Sequence, residues 1–170
     1  MRRTSRTPTS WFRTDAGRLR AGLAALAALV LVVGCTELPP SASAPPAPDS
    51  VEAVIDLSDQ QVTVTRSGGG ASETRVWPVS TGRPGYATPT GTFRPFMLSP
   101  NHRSSLYEDA PMPWSVFFNR DIAVHGTYEI ASLGRAVSHG CVRLQPNHAE
   151  TFFRWVQEVG KTNTRIIVQQ

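Results

Sequence analysis

Val51-Glu52-Ala53-Val54-Ile55-Asp56-Leu57 sets Val51, Ala53, Ile55 and Leu57 on one face and Glu52, Val54 and Asp56 on the other. A period of two belongs to a β-strand, here buried on the first face and partly on the second. Ser58-Asp59-Gln60 is turn chemistry, and Val62-Thr63-Val64-Thr65 reads as the returning strand of a hairpin. The same texture continues towards the C-terminus, with β-type runs at 75–80, 92–98, 114–118, 122–124 and 164–168. Gly68-Gly69-Gly70 is expected to be a flexible surface loop, because no helix start with Lys-Ser/Thr follows to make a phosphate cradle. Residues 81–91 are rich in Gly and Pro. Residues 99–113 carry polar residues and prolines over a length that suits a lid or binding loop. One helix is expected late: Ala149, Phe152, Phe153, Val156 and Val159 share a face, Asn147 is the candidate N-cap, and Gly160 is the stop. Many short strands with one or two helices predict a mainly β, sandwich-like domain over 51–170, and no internal repeat is visible.

Ahead of that domain the texture changes. The 170-residue chain has a pI near 9.7, which invites a nucleic-acid partner until the charges are located. Arg2, Arg3, Arg6, Arg13, Arg18 and Arg20 face only Asp15 within residues 1–34, while the remainder carries a net −1. The basicity belongs to the leader, so the body has no electrostatic footprint for nucleic acid. An uncharged run from Ala21 to Val33 is short for a bilayer span but suits the apolar region of a secretory signal. Val32-Val33-Gly34-Cys35 resembles a lipobox, which implies cleavage before Cys35 and diacylation of its thiol, enough for stable anchoring. The alternative is an uncleaved N-terminal anchor with Cys35 an incidental thiol. Either way the body is expected in the cell envelope, outside the cytoplasmic membrane. Residues 35–50, rich in Pro, Ser and Ala, read as an extended tether.

The segment that carries chemistry is Ala-Val-His-Gly-Thr-Tyr-Glu-Ile-Ala-Ser-Leu-Gly-Arg-Ala-Val-Ser-His-Gly-Cys-Val-Arg-Leu, residues 123–144. The chain has two cysteines, and a disulfide would consume the one with catalytic surroundings; two separate jobs fit better, Cys35 lipidated and Cys141 free. Only a thiolate attacks, so the nucleophile needs a nearby imidazole to take its proton and later return one to a leaving amine. Glycine before Cys141 permits a tight bend, and the N–H groups of Gly140 and Cys141 are candidates for an oxyanion site. Alone, His125 or His139 is more often a structural histidine, and a lone cysteine a small buried hydrophobe. A zinc site from His125, His139 and Cys141 lacks a close ligand pair at a familiar spacing. His102 and His148 have no supporting context. No metal or cofactor is expected.

The segment resembles the signature of the L,D-transpeptidase catalytic domain, or YkuD domain: a histidine, a spacer, then Ser/Thr-His-Gly-Cys. Thr88-Pro89-Thr90-Gly91-Thr92-Phe93 and Trp114-Ser115-Val116-Phe117-Phe118 also resemble recurring family segments. The resemblance implies a β-sandwich enzyme of cell-wall biogenesis whose cysteine attacks a peptidoglycan stem tetrapeptide at the L-centre carbonyl of diaminopimelate. D-Alanine leaves, a thioester forms, and an amine of a neighbouring stem resolves it into a 3→3 cross-link. Cys141 matches the nucleophile and His125 the base. Gly126 matches the position whose carbonyl orients the imidazole, and His139 the second histidine, which shapes the pocket or steadies the tetrahedral intermediate. Ser138, Gly140 and Arg143 are implied on the substrate side, Arg143 standing where some members have asparagine and able to grip a carboxylate. Carbapenem inhibition is a further implication. Hydrolysis of the same thioester, and a non-catalytic wall-binding lipoprotein, are the alternatives.

Overall fold

In the computed structural model, which describes residues 49–170, the opening alternation is β1 (Ser50–Asp56), with Val51, Ala53 and Ile55 buried. Cys35, the leader and nearly all of the tether lie outside the described residues. β2 (Gln61–Gly68) returns antiparallel and sets Val62 opposite Ile55. The reversal is closed by Asp56, whose Oδ1 accepts from the Ser58 N–H, the Ser58 hydroxyl and the Asp59 N–H.

β3 (Ala71–Pro78) pairs with β2 from its first residue, so the triglycine is not the flexible loop that its composition suggests. Gly69 and Gly70 stand at φ 58° and 80°. A two-residue turn with positive φ at both positions matches the twist of its flanking strands, and glycine enters it without a Cβ penalty.

The sheet continues through β9 (Thr164–Gln169), parallel to β1, to β4 (Gly91–Phe93), giving the order β3-β2-β1-β9-β4. The second sheet holds β5 (Met97–Arg103), β6 (Pro111–Asn119), β7 (Ile122–Gly126) and β8 (Val142–Leu144) in that order. The single run expected over 92–98 is therefore two strands in two sheets, broken at Arg94-Pro95-Phe96. The long loop expected over 99–113 is also revised. β5 and β6 run through most of it, with Asn101 opposite Pro113 and Arg103 opposite Pro111. β7 joins β6 only from Val116 onward, so both prolines lie where β6 has β5 alone beside it, a placement that tolerates a missing N–H. Only residues 104–110 remain as loop.

Among the described residues one α-helix, α1 (Pro146–Val159), packs its Ala149, Phe152, Phe153, Val156 and Val159 face into the core. It starts before the expected cap: Gln145 is the N-cap without a side-chain bond, and Pro146 occupies the first turn, where a missing N–H costs nothing. Gly160, at φ 89°, ends it. Val51, Ile55, Val116, Val124, Val142 and Ile166 from both sheets meet this face in one cluster. Each such side chain contributes roughly 1.5–3 kcal/mol by leaving water. That cluster fixes β7 and β8, the two strands on which the site is built. Among the described residues no helix is long and apolar enough to cross a membrane.

Candidate active site

β7 and β8 run parallel, with Val124 opposite Val142, His125 opposite Arg143 and Gly126 opposite Leu144. Cys141 immediately precedes Val142. It therefore shares a strand face with Arg143, and the pairing turns His125 to the same side. The connection from β7 back to β8 includes a 3₁₀ turn, Ile130–Ser132. His125, Cys141, His139 and Arg143 all line one cavity of about 660 Å³. A second cavity, of about 310 Å³, reaches Cys141 and His139 from the side of Met97, His102 and Asp121.

The imidazole of His125 is 5% exposed, and its Nδ1 lies 2.8 Å from the Gly126 carbonyl. A carbonyl only accepts, so Nδ1 carries the proton and Nε2 presents a lone pair. Burial pushes the pKa of His125 down to about 4; the Gly126 bond opposes that, and Arg143 and His102 add to it. Cys141 is a free thiol whose Sγ donates to the Asp121 carbonyl at 3.7 Å. Burial pushes this thiol up, with Asp121 adding to the rise and the Ala123 N–H and Arg143 opposing it. The resting pair is neutral imidazole and neutral thiol.

Ser138 and Gly140 form the bend ahead of the thiol. Gly140 has φ 113°, which side-chain-bearing residues rarely adopt. Ser138, fully buried, accepts from the Gly140 N–H at 3.1 Å and donates to the Cys141 carbonyl at 2.6 Å. The Gly140 N–H is thus not free to face an oxyanion, as the sequence suggested; the Ser138 hydroxyl has taken it. The loop after β3 braces the bend from outside, with the Ser138 N–H donating to the Thr81 carbonyl and the Thr88 hydroxyl to the Gly140 carbonyl. Gly82 is obligatory there, since a Cβ would strike the Tyr86 carbonyl and the Thr88 nitrogen.

His139 sits in an aromatic and cationic nest that its sequence neighbours do not foretell. Arg83 Nη2 lies 2.6 Å from its Nε2, and a guanidinium only donates, so the imidazole is a neutral acceptor there. Partial burial lowers its pKa, with Arg83 and Arg143 adding to the effect. Tyr107, from loop 104–110, stacks on the ring at 4.3 Å, and Tyr86 meets it edge-on at 4.8 Å. The loop is internally bonded: the Tyr107 N–H donates to the Ser104 hydroxyl, and the Ala110 N–H to the Tyr107 carbonyl. Arg143 is tied through its backbone to Ser80 in both directions, and its guanidinium donates to Glu129 at 2.9 Å. Among the described residues no group of three or more His, Cys, Asp or Glu is placed to hold a metal ion.

The sequence profile of the family described as the L,D-transpeptidase catalytic domain, YkuD, matches residues 50–168, both sheets and the cavity between His125 and Cys141 included. The chain belongs to this family. Among solved structures, an L,D-transpeptidase from Mycobacterium smegmatis superposes with a TM-score of 0.60 at 27% identity, covering 72% of this chain and 59% of that one. The L,D-transpeptidase LdtMt1 in complex with imipenem gives 0.60 at 26% identity, covering 71% and 59%. L,D-transpeptidase 3 from Mycobacterium tuberculosis, in complex with a faropenem-derived adduct, gives 0.58 at 26%, covering 72% and 61%. The chain spans about three fifths of the length of these structures. No curated protein sequence matches it. The two-sheet L,D-transpeptidase fold explains why residues 52 or more apart in sequence, Thr88 and Gly140 or Arg83 and His139, converge on one bend. Arg83, Tyr107 and Glu129 line or support the site without any sequence signal; the loops and the turn that follow the strands bring them there.

Proposed function

We propose that the chain is a cysteine acyltransferase that cross-links peptidoglycan stems, tethered outside the cytoplasmic membrane through Cys35. The observation that carries this reading is a free Cys141 thiol and a His125 with its Nε2 lone pair available, facing one cavity that an extended peptide can enter.

In the reaction, Cys141 Sγ attacks the L-centre carbonyl of diaminopimelate while its proton passes to His125 Nε2. The pair starts neutral, so proton transfer accompanies attack rather than preceding it. The Gly126 carbonyl, already bonded to Nδ1–H, steadies the imidazolium that forms. As the tetrahedral intermediate collapses, the carbon–nitrogen bond to D-alanine breaks and the leaving amine takes the proton from His125. The thioester then accepts an amine of a second stem; that amine gives its proton to His125, an amide forms, and the thiol is restored. Arg143 places a fixed positive charge two residues beyond Cys141, favouring carboxylate-bearing stems and any thiolate. β-Lactams of the carbapenem and penem type, found with the similar structures, are proposed to acylate the same sulfur.

Incubation of the purified chain with stem tetrapeptides tests the reading. Release of D-alanine with a 3→3 dimer is the expected result. D-Alanine release with trimmed monomer alone would make the enzyme a hydrolase, and no release from a folded, reduced chain would remove the proposal.

A further inference from the structure

Glu129 Oε2 accepts from Arg143 Nη1 at 2.9 Å on the wall of the larger cavity. The two partners are unequally held. Arg143 has 22% of its side chain exposed and is fixed by the β7 pairing and by both backbone bonds to Ser80. Glu129 has 70% of its side chain exposed. Its backbone is pinned nonetheless: its N–H donates to the Thr127 hydroxyl, and its carbonyl accepts from the Ser132 hydroxyl and N–H. A pair so open to water contributes little to stability. Its backbone bonds instead hold an exposed carboxylate at a set place beside a part-buried cation.

Arg143 also stands two residues past Cys141 on the same strand face, about 6–7 Å along β8. A ligand whose acyl carbon is bonded to the sulfur therefore meets, one short aliphatic chain away, a cation and an anion side by side. That arrangement complements an ammonium and a carboxylate borne on a single carbon. We infer that Glu129 and Arg143 form a subsite for a free amino-acid head group, Arg143 taking the carboxylate and Glu129 the ammonium. Resting on the function proposed above, that head group is the D-centre of diaminopimelate, joined to the reacting L-centre by a trimethylene chain. Glu129 is then a specificity residue: on binding it exchanges part of its contact with Arg143 for the ligand's ammonium, and it takes no part in bond making.

The test offers three tetrapeptide donors to the parent chain and to Glu129→Gln: one free at the D-centre, one N-acetylated on its amine, one amidated on its carboxylate. D-Alanine release reads acylation, and dimer formation with free or amidated acceptors reads transfer. The parent is expected to prefer the free donor over the N-acetylated one. That preference should fall about tenfold in Glu129→Gln, mainly through KM, as expected for one charge-assisted hydrogen bond. Glu129→Asp should restore part of it. Loss of discrimination confined to the acceptor in the transfer step would place the acceptor's head group in the same subsite. Equal slowing of all donors, or no change in either step, would overturn the subsite while leaving the transferase reading intact. A parent chain that no stem acylates would overturn both.

Discussion

The thiol of Cys141 donates to the carbonyl of Asp121 at 3.7 Å, while it lines the same cavity as the His125 imidazole. Burial raises the thiol pKa, and the charge of the Asp121 side chain adds to the rise. His125, whose pKa is pushed down to about 4, stays neutral beside it. The site is therefore poised as a neutral pair and not as a stored thiolate–imidazolium pair.

Alkylation with a small reagent should report that state. With the thiol raised above its ordinary range, the thiolate fraction, and with it the rate of reaction with iodoacetamide, should climb about tenfold per pH unit from pH 6 to 8. A pH-independent plateau between pH 5 and 7 is the signature of a preformed ion pair and would contradict the neutral resting state.

His125 also ties stability to acid. Its folded pKa is depressed, so the unfolded chain binds the extra proton in the window between 6.5 and about 4. Its contribution is fully present above pH 6.5 and is lost as pH falls through that window. Urea unfolding at pH 7 and pH 4 should show the parent losing about 2–3 kcal/mol more than His125→Asn over the same interval. Equal losses in the two proteins would mean that this imidazole is not buried neutral.

Much of this architecture is legible in the residues. The alternation over β1 and β2 is clear because one face of each is buried, and the segment 123–144 marks His125 and Cys141 as candidate base and nucleophile through residue types that have few other reasons to stand together. β3 and β5 are harder to read, since both lie at sheet edges and are largely exposed, which leaves no period of two. Periodicity is also silent on partners, so it could not divide 92–98 between two sheets. Glu129 and Arg83 carry no local pattern either. Their roles come from a turn after β7 and from a loop that reaches His139 from 56 residues away.

Arg83 offers a direct check on that long-range contact. Its guanidinium is one of the two charges that lower the His139 pKa, after burial. In Arg83→Ala the NMR titration of the His139 ring should move up, towards the ordinary histidine range. The stacking of Tyr107 on that ring should loosen with it, seen as a smaller ring-current shift of the His139 protons. An unmoved titration would show that the pair does not persist in solution.

The acylation chemistry itself is tested most directly by intact mass after exposure to a carbapenem. The folded, reduced parent should gain one drug mass, mapped by proteolysis to Cys141, and Cys141→Ala, with unchanged circular dichroism, should gain none. A parent that stays unmodified, or an adduct found on another residue, would contradict the assignment of Cys141 as the nucleophile.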